Sequence, residues 1–131
     1  MDTFQMASPV QYYYSAYSAY AYIGHQYFER IVKNSERQID HKPFNLIKCI
    51  DDIGSQPLSD RTEANLEYYF KRQRDRWSEF RNVEMPGQTP TSHSNTADLA
   101  DRILIASIFS NKNIDQLAFK FMLHHWKKIQ I

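Results

Sequence analysis

The chain has 131 residues, of which 42% are hydrophobic, 24% charged and 15% aromatic. This composition fits one globular domain and excludes a largely disordered chain. Sixteen Lys and Arg against fifteen Asp and Glu leave a net charge of +1. Because such a balanced chain has no overall field that attracts polyanions, we expect neither nucleic acid nor a membrane surface as a partner.

Cysteine, glycine and proline narrow the class of protein further. The single cysteine, Cys49, excludes an internal disulfide and a multi-cysteine zinc site, so the reducing cytoplasm is the expected compartment. Three glycines and five prolines argue against a turn-rich all-β fold. No stretch approaches the roughly 20 apolar residues that a membrane-spanning helix needs. The sequence predicts a soluble, cytoplasmic, single-domain protein.

The first part of the chain predicts a strand, a helix and a second strand. Residues 10–15 are rich in β-favouring side chains and predict a buried strand. An apolar stripe at helical spacing follows and ends near residues 33–34, and Ser18 lies just ahead of it in an N-cap position. Residues 36–41 predict the second strand, because Pro43 holds the residue before it extended. The stripe consists of Tyr20, Ile23, Tyr27, Phe28 and Ile31.

The middle of the chain predicts helices separated by loops. Apolar spacing predicts a short helix over residues 44–53, and residues 54–57 (GSQP) predict a loop. A long charged helix is expected over residues 59–81, followed by a loop over residues 85–95. The predicted buried side of the long helix comprises Leu66, Tyr69, Phe70, Trp77 and Phe80.

Two further helices are predicted towards the C-terminal end. Asn95 or Thr96 could cap the first of them, and its predicted apolar stripe is Leu99, Ile103, Ala106 and Phe109. Asn113, with Gln116 three residues later, resembles a capping box at the start of the last helix. The predicted buried residues of that helix are Ile114, Leu117, Phe121, Met122 and Trp126.

Ser18 is the most informative candidate for a functional side chain. A hydroxyl at a helix N-terminus, directly after a strand, lies among free backbone N–H groups and at the positive end of the helix dipole. Such a position stabilises an anion, including a thiolate. A serine there can equally serve only as the cap of its helix. The residues alone leave both interpretations open.

Other reactive residue types give weaker signals. His124 and His125 are adjacent and point about 100° apart on a helix, so they do not converge on one ion and we expect no metal site. Cys49 has neither a second cysteine nor a histidine beside it and is expected to be a packed thiol. Three isolated histidines are expected in surface or packing positions: His25, His41 and His93.

Residues 10–24, VQYYYSAYSAYAYIG, resemble the first strand, active-site loop and helix start of the 2-hydroxychromene-2-carboxylate isomerases. These enzymes are close relatives of the kappa-class glutathione transferases, in the DsbA-like branch of the thioredoxin fold. The family pattern is an apolar strand and then Ser-Pro-Tyr-x-Tyr/Trp-Leu, which here reads Ser18-Ala19-Tyr20-Ala21-Tyr22-Ile23. Further similar segments follow in order: Lys42-Pro43-Phe44, Gly54-Ser55-Gln56-Pro57, Tyr69 with Arg76-Trp77, Asn95-Thr96, and Trp126.

The resemblance implies a fold that is predominantly helical but of the α/β class. Residues 1–57 would form the N-terminal β-α-β portion of a thioredoxin-like fold of the DsbA/kappa type. Residues 58–131 would form the all-helical subdomain that is inserted into it. Family members continue into a second thioredoxin half after this subdomain, so the resemblance implies one incomplete structural domain that lacks this C-terminal half.

The resemblance also implies a glutathione-dependent isomerase or transferase. In this family the serine at the Ser18 position hydrogen-bonds the sulfur of glutathione and favours its thiolate, which adds reversibly to the substrate. Glutathione is thus the implied cofactor, and a small aromatic or conjugated carboxylic acid is the implied substrate. Ser18 is the implied catalytic residue and would also bind glutathione. Ser55, which stands where relatives have an asparagine near the active site, is a second implied glutathione-binding residue, and Tyr20 and Tyr22 are expected to line the substrate.

Departures from the family pattern keep two alternatives open. Ala19 replaces the proline after the serine, Ser55 replaces the loop asparagine, and Leu66 stands where a glutathione-facing lysine is expected. In the first alternative, the chain is a truncated or degenerate relative without catalytic activity that acts as a binding or dimerisation module, for example by forming a homodimer. Such a relative would expose an apolar patch. The other alternative is an unrelated helical protein with a tyrosine-rich N-terminal segment.

Overall fold

The structure is a computed structural model that describes residues 7–127. It is mostly helical, with a small parallel sheet, as the sequence predicts. Strand β1 (Val10–Tyr14) is joined to strand β2 (Ile39–Pro43) by helix α1 (Ala19–Asn34). Val10 lies opposite Ile39 and Tyr14 lies opposite Pro43. A helix returns the chain to the start of β2, as a parallel pairing requires.

The helices that follow cover residues 46–126. They are α2 (Leu46–Asp52), α3 (Glu63–Glu67), α4 (Arg74–Arg81), α5 (Asp98–Phe109) and α6 (Asp115–Trp126). A π-helical turn, Tyr68–Gln73, joins α3 to α4, and short 3₁₀ turns occur at Leu58–Asp60 and Thr91–Ser94. No helix of the described segment is long and apolar enough to span a membrane.

Local signals place the first two elements correctly and the third approximately. The strand and the helix expected at residues 10–15 and 18–34 are confirmed, and Ser18 is the N-cap of α1. The second strand lies at residues 39–43 rather than 36–41. The shift has a physical cause: the chain leaves α1 through a tight turn in which Glu36 adopts a left-handed φ of 56°, and the strand then runs on to Pro43 opposite Tyr14.

The predicted long helix over residues 59–81 is wrong in its first part. Helix α3 begins only at Glu63, because Thr62 caps it: the Thr62 Oγ1 atom accepts a hydrogen bond from the Asn65 N–H at 3.2 Å. The predicted end at Arg81 is confirmed, and Asn82 closes the helix in a left-handed conformation with φ 53°.

The hydrophobic core lies where β1, the start of α1, α5 and α6 meet. Its buried members are Tyr14, Ala16, Tyr22, Leu104, Ile114, Ala118, Met122 and Trp126. The predicted apolar face of α6 is therefore confirmed at Ile114, Met122 and Trp126, with Leu117 and Phe121 packed partly buried against the core. Because the end of β1 is buried in this core, the core fixes the position of the loop that leads from β1 to Ser18.

Three other predicted apolar faces are wrong in whole or in part. On α1, Tyr27 and Ile31 are exposed, and His25 and Val32 are buried instead. The predicted buried residues of α5 are exposed at Leu99, Ile103 and Phe109. On the π turn and α4, the exposed members of the predicted face are Tyr69, Phe70, Trp77 and Phe80. These helices carry more apolar surface than their neighbours in the described segment cover.

Candidate functional site

Ser18 lies at the junction between the loop that follows β1 and the first turn of α1. Its backbone is extended (φ −73°, ψ 127°), and its Oγ atom accepts a hydrogen bond from the Ala21 N–H at 3.3 Å. The Ser18 N–H donates to the Ser15 carbonyl at 3.0 Å, and the Ser18 carbonyl accepts from Tyr22 at 3.1 Å. Among residues 7–127 no acceptor is seen for the Ser18 hydroxyl hydrogen, which is free to donate to a ligand.

The electrostatic setting of Ser18 favours a negative charge. Helix α1 has 16 residues, so its aligned peptide dipoles place a partial positive charge at this end. The first-turn N–H groups of Ala19 and Tyr20 have no carbonyl partner within the helix. A thiolate or carboxylate in front of Ser18 would meet these donors together with the hydroxyl.

Two clefts adjoin the loop that leads to Ser18. One, of about 430 Å³, lies between Ser15 and Tyr17 of the loop, helix α2 and the start of α5. The other, of about 250 Å³, lies between Tyr17 and the end of α6. Residues 95–97 line both clefts. The fold thus brings the Asn95-Thr96 segment next to the loop before Ser18.

Asp101 is a candidate that the sequence analysis missed. It is only 8% exposed and lines the larger cleft. Its Oδ1 atom is buried without a hydrogen-bond partner among the described residues. Burial, with a smaller contribution from Asp98, raises the pKa of Asp101 from 3.8 to about 6. A carboxyl with such a pKa can exchange a proton near neutral pH. An acidic residue in the first turn of a helix is common, so the sequence carries no signal that separates it from a surface residue.

Two members of an aromatic and histidine cluster, Tyr17 and His125, line the smaller cleft. Tyr17 stacks on His93 with ring centroids 4.3 Å apart. The Nδ1 atom of His93 lies 2.8 Å from Nε2 of His125, and burial lowers the pKa of His93. His93 therefore packs against Tyr17, in agreement with the surface or packing position predicted for it, and His125 reaches it from α6. No group of three or more His, Cys, Asp and Glu that could hold a metal is found in residues 7–127.

The other candidate residues lie outside these two clefts. The Tyr20 hydroxyl donates to the Tyr69 carbonyl and so ties α1 to the π turn. Tyr22 is buried in the core, where its ring stacks on Phe119 at 6.1 Å. Ser55 is half-buried in the turn after α2, and Cys49 is half-buried on α2 itself. None of the predicted site residues lines either cleft, but Ser18 directly follows Tyr17, which lines both.

Two tyrosine–histidine pairs hold the strand that positions Ser18. Tyr14 Oη lies 3.0 Å from His41 Nδ1, and His41 Nε2 lies 2.7 Å from Asp115 Oδ1. On the same face of β1, Tyr12 Oη lies 3.2 Å from His25 Nδ1. The histidines of both pairs are buried, which confirms a packing role for them. The contacts join β1 to β2, α6 and α1, and thereby fix where the loop before Ser18 begins.

Comparisons with protein-family models, with curated proteins and with solved structures found no match for this chain. Function is therefore inferred from the residues and their geometry.

Proposed function

We propose that the chain is a thioredoxin-like protein that binds glutathione and acts as a glutathione-dependent isomerase or transferase of the 2-hydroxychromene-2-carboxylate isomerase type. The observation that carries this proposal is Ser18, which β1 and its loop place at the N-terminus of α1 and whose hydroxyl hydrogen has no acceptor among residues 7–127. The parallel β1–α1–β2 unit supports it, because a thioredoxin-like fold begins with such a unit.

Ser18 would act by stabilising the glutathione thiolate. Its hydroxyl donates a hydrogen bond to the sulfur, and the N-terminal end of α1 favours the negative charge, so the thiol loses its proton more readily. When bound, glutathione would supply the thiolate nucleophile for reversible addition to the conjugated double bond of a small aromatic or conjugated carboxylic acid. The role of Ser18 would be to hold the sulfur and to favour its deprotonated form.

Asp101 fits this chemistry as the proton-exchanging group of the adjoining cleft. Its pKa of about 6 allows the carboxyl to accept a proton from a thiol and to return it near neutral pH. The carboxyl has no hydrogen-bond partner at Oδ1 among the described residues, so a ligand in the cleft would not have to displace one from that atom.

Glutathione binding by a Ser18→Ala variant tests the proposal. We expect glutathione to raise the thermal stability of the wild-type chain by mass action, and we expect Ser18→Ala to weaken the affinity at least about tenfold, or about 1.4 kcal/mol. Thr62→Ala is the matched control, because it also removes a helix N-cap hydroxyl at a cost of about 1 kcal/mol in stability. Differential scanning fluorimetry and NMR titration measure both effects.

Two results would contradict the proposal. One is the absence of any binding at millimolar glutathione. The other is equal affinity in Ser18→Ala and Thr62→Ala, since the serine would then be only a cap. S-methylglutathione provides a ligand control: it lacks the thiol, so its affinity should not depend on Ser18.

A second candidate function, a non-catalytic binding or dimerisation module, is favoured by a different observation. Large apolar side chains are exposed on α4 and α5, with Phe80 at 72% and Phe109 at 83%. Exposed apolar surface of this kind marks interaction sites when it is contiguous. Size-exclusion chromatography with a hydrophobic dye tests this function. A monomer that binds no dye would contradict it.

A further inference from the structure

An open cavity of about 1240 Å³ lies at the opposite end of α1 from Ser18. Its walls are the second half of α1, strand β2 with the turn before it, and the connection between α5 and α6. The 16 residues of α1 separate the two ends of this helix by roughly 24 Å. The cavity is therefore distinct from the clefts beside Ser18.

Two of the three carboxylates in the wall of this cavity already have a partner. They are Glu29, Asp40 and Asp115. Asp40 pairs with Lys42 at 3.1 Å, and Asp115 pairs with His41 at 2.7 Å. Glu29 Oε1 lies 3.2 Å from His25 Nε2, although this approach is not aligned as a hydrogen bond. Burial raises the pKa of Glu29, because burial destabilises the charged form of the carboxyl.

Four cations line the same cavity: Arg30, Lys33, Arg37 and Lys112. None of them forms an ion pair with any residue between 7 and 127. Arg30 makes one other charge-dependent contact, with its guanidinium carbon 5.5 Å from the centre of the Tyr27 ring. All four are exposed. The wall thus holds four cations against three carboxylates, and a concave surface with an excess of cations concentrates anions.

We propose that this cavity binds a small phosphorylated anion that carries at least two negative charges. Arginine forks bind phosphate oxygens in pairs, and lysine binds them as a point charge. A single carboxylate would leave most of the four cations without a partner, whereas a diphosphate or a phosphate monoester with a second anionic group would engage them. The cavity is large enough for an organic ligand of nucleotide size. The side chains supply the binding groups, so no glycine-rich loop is needed.

Titration with inorganic pyrophosphate tests this site. The double variant Lys33→Gln/Arg37→Gln removes two exposed cations from the cavity, and we expect it to weaken pyrophosphate binding at least about tenfold. The control Arg72→Gln/Arg76→Gln makes the same change of charge on the π turn and α4, at two exposed cations without an ion pair to residues 7–127. It should stay within about twofold of the wild type at equal ionic strength. NMR titration should locate the shifted amides at Ile39 and Asn113, which line the cavity.

Three results would overturn the proposal: equal affinity in the two double variants, tighter binding of citrate than of pyrophosphate, or no saturable binding. The site does not rest on the proposed function. Ser18→Ala should keep its affinity for pyrophosphate, and Lys33→Gln/Arg37→Gln should keep its affinity for glutathione. Each of the two proposals can therefore be refuted while the other stands.

Discussion

Helices α5 and α6 are adjacent, have 12 residues each and both begin with an aspartate, yet they bury different kinds of surface. Helix α6 buries Ala118, Met122 and Trp126. Helix α5 buries Asp101 and Leu104 and leaves Leu99 71% exposed. The side of α6 that faces the core is its apolar stripe, whereas the side of α5 that faces the core includes a carboxyl.

The difference teaches that a polar anchor can decide which side of a helix is buried. Asp115, the first residue of α6, is held by His41, which is in turn held by Tyr14. This chain of contacts sets the rotation of α6 relative to the sheet. The first residue of α5, Asp98, instead pairs with Arg102 on its own helix at 2.9 Å. Helix α5 is oriented by the packing of Leu104, and the apolar stripe predicted for this helix is exposed to solvent.

The largest expected effect comes from the buried leucine of α5. Leu104 is fully buried, so Leu104→Ala should lower the free energy of unfolding by about 3 kcal/mol, through lost burial and the cavity left behind. Leu99→Ala makes the same chemical change on the exposed side of the same helix and should cost less than about 0.5 kcal/mol. Urea unfolding followed by circular dichroism measures both. Similar losses for the two variants would show that α5 is rotated relative to the structure described.

The anchor of α6 gives the next largest effect. Asp115→Ala removes the acceptor of the buried His41 Nε2 atom and should cost about 2 kcal/mol, because a buried donor loses its partner. Asp98→Ala is the matched control at the first residue of α5. It loses the same favourable interaction with the helix dipole but only an exposed ion pair, which is worth about 0.5 kcal/mol or less. Equal losses in urea unfolding would refute the idea that His41 orients α6.

Short-range signals were enough to predict the first two elements of the fold. The serine cap before an apolar stripe placed α1 correctly, and the β-favouring run placed β1. The candidate position of Ser18 followed from the same signals, because capping depends only on residues within one turn. The second strand was predicted to start too early, at residue 36 rather than residue 39, because a glutamate in a left-handed turn has no reliable sequence signal.

Contacts between distant residues could not be predicted. The Tyr14–His41–Asp115 contacts join residues 27 and 74 positions apart, and nothing in the local sequence links them. The same reason hid Asp101, whose pKa depends on the surfaces that close around it. It also hid the cation cluster of the cavity, since Lys112 is 75 positions away from Arg37, the nearest of the other three cations in the sequence.

The smallest effect, and one of opposite sign, is expected at Asp101. Its pKa is raised from 3.8 in the unfolded chain to about 6 in the folded protein, so between these values the folded state binds more protons and the wild type loses stability as the pH rises. Asp101→Asn cannot titrate. It should therefore be more stable than the wild type by about 1 kcal/mol above pH 6, a value reduced for partial solvent screening, and the gain should vanish below about pH 4. Urea unfolding of both proteins between pH 4 and 8 measures the difference and cancels the titration of all other groups. A difference in stability between the two proteins that does not change with pH would mean that the Asp101 carboxyl is solvated in the folded protein. Helix α5 would then, like α6, bury no ionisable carboxyl.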